Sequence, residues 1–125
     1  MSTRAHIVVI SEDEERYVYH HSDGYLEGVG EDLKYFLKDI YKPSDYSADE
    51  LCQQLEDWDV SYQYEDSGIH GDEEYIYYID IYPDKVIISV ETAEYAKTAD
   101  GDWDETWKEI PEFTETIETN VGSKR

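Results

Sequence analysis

Basic residues are scarce in this 125-residue chain: 10 Lys and Arg stand against 32 Asp and Glu, a formal net charge of −22. Phosphate backbones are held by Lys and Arg that displace counterions, so direct binding of DNA or RNA is all but excluded. Adhesion to an anionic membrane is disfavoured for the same reason. Long apolar runs are also missing. The run nearest the N-terminus, Ile7–Ile10, is too short for a membrane span or the core of a signal peptide. A single cysteine, Cys52, excludes an internal disulfide and places the chain in a reducing cytoplasm. No internal repeat and no Pro/Gly-rich linker divides it, and the length suits one domain.

Aromatic side chains are abundant, with 13 Tyr, 3 Trp and 2 Phe. Rings of this size bury large areas and need a folded surface, which argues against the disorder that such acidity otherwise suggests. The pattern along the chain predicts seven elements. Ala5–Ser11 and Arg16–His21 read as a hairpin joined at Glu12–Glu15, ending at the turn Ser22-Asp23-Gly24. Val29, Leu33, Phe36, Leu37 and Ile40 mark one face of a helix that Pro43 stops. Ser47 and Glu50 form a capping box for a second helix, with Leu51, Leu55 and Trp58 on its buried face. Val60–Tyr64 reads as a strand, and Glu74–Tyr82 with Lys85–Thr92 as a hairpin about Pro83-Asp84. The stretch 99–110 reads as a short helix or an ordered loop. The expectation is an α+β domain over residues 1–111, a mostly antiparallel sheet in the order ββααβββ with two helices on one face, and a mobile tail over 112–125.

The acidity is uneven. Residues 45–84 hold thirteen acids and no Lys or Arg. Carboxylates two apart on a strand repeat at ~6.7 Å, the length scale of successive phosphates. One reading is a polyanion mimic that meets a basic protein surface; the other is a solubilising surface with no partner. The Tyr content favours a partner, since Tyr offers rigid contact area with a polar tip. The contact set expected is Asp57, Asp59, Glu65, Asp66, Asp72, Glu73 and Glu74, with Tyr62 and Tyr64 as aromatic anchors.

Signals for chemistry are weak, and no catalytic residue, metal site or cofactor is expected. His20 and His21 point to opposite faces of a strand and cannot share a centre. Gly28-Val29-Gly30 precedes a helix as in a phosphate loop, yet Glu27, Glu31 and Asp32 would repel an anion there. Asp100-Gly101-Asp102-Trp103-Asp104 departs from the calcium-loop order at its second and fourth positions. A small ligand-binding domain or enzyme built on the His20–Asp23 turn is the chemical alternative.

Ser2-Thr3-Arg4-Ala5-His6-Ile7, followed by Tyr19-His20-His21-Ser22-Asp23-Gly24-Tyr25-Leu26-Glu27-Gly28-Val29, resembles an N-terminal pattern of small phage and prophage proteins. The resemblance covers about the first third of the chain and implies a phage setting, hence a host cytoplasm, with no chemistry attached. With the charge, it suggests an inhibitor of a nucleic-acid-binding defence protein, of anti-CRISPR or anti-restriction type, acting by mimicry and occlusion. The second reading is an immunity or antitoxin protein that neutralises a basic toxin through the same electrostatics.

Overall fold

A computed structural model describes residues 3–12, 14–65, 73–97, 101 and 103–119, with the backbone alone at 94–97 and 103–105. Strands β1 (Ala5–Ile10) and β2 (Glu15–His20) form the expected hairpin, with Ala5 opposite His20 and Ile10 opposite Glu15. A helical rod follows, in which α1 (Glu31–Tyr35) is flanked by π-helical turns Leu26–Gly30 and Phe36–Ile40. Helix α2 (Ala48–Trp58) is capped by the Ser47 hydroxyl, which accepts from the Glu50 N–H at 3.0 Å. Next come β3 (Gln63–Glu65), β4 (Tyr75–Tyr82), β5 (Lys85–Lys97), β6 (Trp103–Glu109) and β7 (Glu115–Glu118).

The fold is α+β with a mostly antiparallel, mixed sheet. Its strand order is β3-β2-β1-β4-β5-β6, with β7 also on β5. The pair β1–β4 is parallel, which the hairpin-by-hairpin reading did not anticipate. Two segments differ from expectation more sharply. The 99–110 region supplies a strand, β6, instead of a helix or loop, and the tail expected to be mobile supplies β7. Both lie along one edge of β5. Three residue steps along β5, from Glu91 to Ile88, correspond to six along its partner, from Glu109 to Glu115. The excess is the 3-10 turn Pro111–Phe113, which drops Phe113 into the core and lets pairing resume. Apolar side chains at Phe113 and Ile117 hold this segment down: both are buried. The third strand is also shorter than expected, because Val60 is exposed and Ser61-Tyr62 form a turn before Gln63.

Alternation sorts the strands into two faces. Ala5, Ile7 and Val9, Val18, Tyr77, Ile79 and Ile81, and Val86, Ile88 and Val90 share one core with Val29, Leu33, Phe36, Leu37, Leu51 and Leu55 of the helices. The Gly28 and Gly30 positions are explained by this packing and not by a phosphate. A Cβ on Gly28 would lie 2.2 Å from the Asp23 carbonyl oxygen, and one on Gly30 would lie 2.8 Å from the Phe113 ring. The opposite face carries His6, Val8, Tyr19 and Ile76, which are buried as well.

Candidate functional site

Thirteen acids in a row of sequence do not make one surface, because several are committed to the fold. Around the start of α2, Glu50 accepts from the Ser44 N–H at 2.9 Å and from the Ser44 hydroxyl, and Asp45 accepts from Ser47 N–H at 3.1 Å. That contact to Ser47 holds the Asp45 carboxyl below its usual range. Asp49 accepts from the Tyr64 hydroxyl at 2.6 Å and from Gln53 at 2.7 Å, and these bonds lower its pKa. Glu14 accepts from the Asp49 N–H at 2.9 Å and pairs with Arg16 at 2.9 Å. These carboxylates satisfy orphan N–H groups at a helix N-terminus, where negative charge is stabilising.

The expected contact set divides accordingly. Asp57 is exposed in the last turn of α2, and Glu74 is exposed at the entry to β4. Asp59 and Glu65 are half-buried. Tyr64 is also half-buried, its hydroxyl donated to Asp49. Two assignments are corrected. Tyr62 is fully buried against His20 and Trp58, with ring centroids 4.5 Å and 6.2 Å away, so it anchors the core and not a partner. Glu73 is buried beside His6, with Oε2 3.0 Å from Nδ1 and both side chains fully enclosed. A buried carboxylate persists only when paired, so Glu73 serves the interior. Asp66 and Asp72 lie outside the described residues.

What the fold brings together instead is a corner at the C-terminal end of β2. His20 Nδ1 lies 2.5 Å from the Ser22 carbonyl oxygen. That oxygen can only accept, so Nδ1 carries the proton. Nε2 lies 3.1 Å from the Ser61 hydroxyl, which donates to Asp59 Oδ1 at 2.7 Å. The Ser61 N–H also donates to Asp59, and together these bonds hold the Asp59 carboxyl below its usual pKa. Asp32 of α1 completes the cluster. Burial raises its pKa first and the Asp59 and Asp23 charges raise it further, while His20 and the Tyr62 hydroxyl oppose them. Asp23 itself holds a positive φ of 53° and accepts from the Tyr25 hydroxyl at 3.1 Å. An acidic corner of Asp23, Asp32 and Asp59 thus surrounds one buried imidazole.

Sequence reasoning missed Asp32, Asp23 and Ser61 as neighbours of Asp59. Ser61 is a local partner two residues from Asp59, whereas Asp23 and Asp32 come from separate segments that only the docking of α1 beside the β2 end brings to it. Chemically, a hydroxyl beside an imidazole suggests a nucleophile and its base. Here the single Ser61 proton goes to Asp59 and the Nδ1 proton of His20 goes to the backbone. No proton is shared between the hydroxyl and the ring, so the pair is not arranged as a nucleophile and its base. Cys52 is buried in the core, which pushes its thiol pKa up and disfavours the reactive thiolate. Among the described residues no group of His, Cys, Asp and Glu converges as a metal would require, and no helix is long and apolar enough to cross a membrane.

No protein-family model, curated protein or solved structure matches this chain.

Proposed function

We propose that the chain binds a basic, nucleic-acid-handling protein through its acidic corner and occludes that protein's nucleic-acid site. The observation that carries this reading is the gathering of Asp23, Asp32 and Asp59 at one corner, where burial first and the neighbouring charges second raise the Asp32 pKa. Like charges held together cost folding free energy and suit a surface whose repulsion a cationic partner relieves. Exposed Asp57, two residues before Asp59, and Glu74 extend the anionic surface. In the phage setting that the N-terminal pattern implies, the partner is a host defence protein of CRISPR or restriction type. An immunity-type protein against a basic toxin would use the same charges and differ only in its target. Association should be fast at low salt and fall as salt screens charges beyond ~10 Å at 0.1 M. The test is capture from a bacterial lysate with duplex DNA as competitor. The reading expects a basic protein that DNA displaces. Recovery of only acidic or metabolic proteins, indifferent to DNA, contradicts it.

A further inference from the structure

The opposite end of the β1–β2 hairpin holds a cleft, five residue steps or ~17 Å along the strand from His20. Here the parallel strands β1 and β4 finish side by side, Ile10 level with Asp80. The loop that caps α2 rises beside them. Two adjoining hollows of about 410 Å³ each share Ser11, Glu12, Ile81, Tyr82 and Pro83. Ile10 and Asp80 line one hollow, Glu14, Asp45, Tyr46 and Ser47 line the other, and Ile81 and Tyr82 border both. Carboxylates of Glu12, Asp45 and Asp80 complete the walls.

Asp80 is the informative residue. In the sheet it stands between Ile10 on one side and Ile87 on the other. It is half-buried, and burial raises its pKa. Among the described residues no hydrogen-bond donor or cation meets it, unlike Asp45 and Asp49, whose oxygens are taken by neighbouring donors. A carboxylate desolvated by isoleucines and left without a donor gains most from a cation brought by another molecule. Tyr82 is exposed on this hollow; the Lys85 ammonium lies 5.3 Å from its centroid, so an incoming cation stacks on the remaining open face of the ring or displaces Lys85.

We propose that this cleft receives an arginine side chain from the basic partner. An arginine matches each part of the lining: its methylene stem suits Ile10 and Ile81, its planar guanidinium stacks on tyrosine, and its fork of donors fits a carboxylate. Lysine, a compact and strongly hydrated charge, matches only the carboxylates. The inference rests on the charge-driven reading above and adds to it an anchor point remote from the acidic corner.

The experiment is an NMR titration of the uniformly ¹⁵N-labelled full chain at fixed ionic strength. The probes are acetyl-Arg-Gly-Arg-amide, acetyl-Lys-Gly-Lys-amide and spermidine. Shifts from the arginine peptide should concentrate at Ser11, Tyr46, Asp80 and Tyr82, with affinity about fivefold above the lysine peptide. Asp80→Asn and Tyr82→Ala, each confirmed as folded by its melting curve, should each weaken the arginine peptide by about fivefold or more, while Glu27→Gln, exposed at the start of the helical rod, leaves it unchanged. Shifts spread over the whole acidic surface, equal affinity for the three probes, or an Asp80→Asn variant that binds as well as the parent would each overturn the cleft assignment. None of those results touches the capture experiment, which judges the charge-driven reading separately.

Discussion

The carboxylates at the start of α2 and Asp32 at the acidic corner are opposite in use, while Asp59 beside Asp32 is held by Ser61 as the caps are held by their donors. Asp45, Asp49, Glu50 and Glu14 each accept from a backbone N–H, a hydroxyl or Arg16, and the pKa values of Asp45 and Asp49 lie below the usual range. At the corner, desolvation and then the Asp59 and Asp23 charges place Asp32 above it. Charge density along a sequence therefore says little about which acids face a partner. The hydrogen-bond donors around each carboxylate decide that. Glu73 is the extreme case on the committed side, enclosed with His6.

The sharpest way to break this division is at that enclosed pair. Glu73→Ala leaves His6 without its carboxylate in a fully buried setting and should cost about 3–5 kcal/mol, read as a lowered urea midpoint. If Glu73 were instead a surface contact, its removal would leave the midpoint within error of the parent. Gly28→Ala should rank close behind at about 2 kcal/mol or more, since its Cβ would meet the Asp23 carbonyl oxygen at 2.2 Å and the backbone must shift. A Gly28→Ala chain of parental stability would show that the helix entry is loose.

Smaller effects belong to single caps. Ser47→Ala should cost about 1 kcal/mol through loss of the bond to the Glu50 N–H. The corner should respond in the reverse direction. The Asp32 pKa is raised on folding, so its charged form opposes the fold at neutral pH, and the opposition fades as pH falls through the folded pKa. Asp32→Asn should thus raise the melting temperature at pH 7 and lose that advantage in acid. Asp49 and Asp59 carry the opposite sign. Their lowered values contribute stability that is full above the ordinary carboxylate pKa and lost as pH falls through their folded values. Acid titration of the melting temperature in Asp32→Asn and Asp49→Asn separates the two classes by slope; parallel slopes would contradict the division.

Much of the fold was legible because local signals agreed with the final packing. The β1–β2 and β4–β5 hairpins and the Ser47 cap stand where alternation and capping chemistry put them. The edge of β5 was not legible, because Trp103–Glu109 is dense in charge and lacks an apolar alternation. Its strand exists through pairing with β5, and its continuation through burial of Phe113 and Ile117. Tyr62 was misread for a related reason. It was assigned to a strand with one wet face, whereas it sits in a turn whose ring packs on His20 and Trp58. The acidic corner was only half legible: Asp57 and Asp59 stood out by charge, but nothing local joins Asp23 and Asp32 to them.

If acids free of internal duty bind a basic partner, reversing their charge removes that partner and leaves the fold intact. Asp32, Asp57 and Glu74 are all exposed, so changing the three to Lys reverses one corner acid and both acids that extend the corner, while leaving Asp23, Asp59, the caps and the Glu73–His6 pair in place. The account predicts a melting temperature equal to or above the parent, since self-repulsion is relieved, together with loss of the DNA-displaceable protein captured from lysate. A folded triple variant that captures the same protein in parental amount would contradict it.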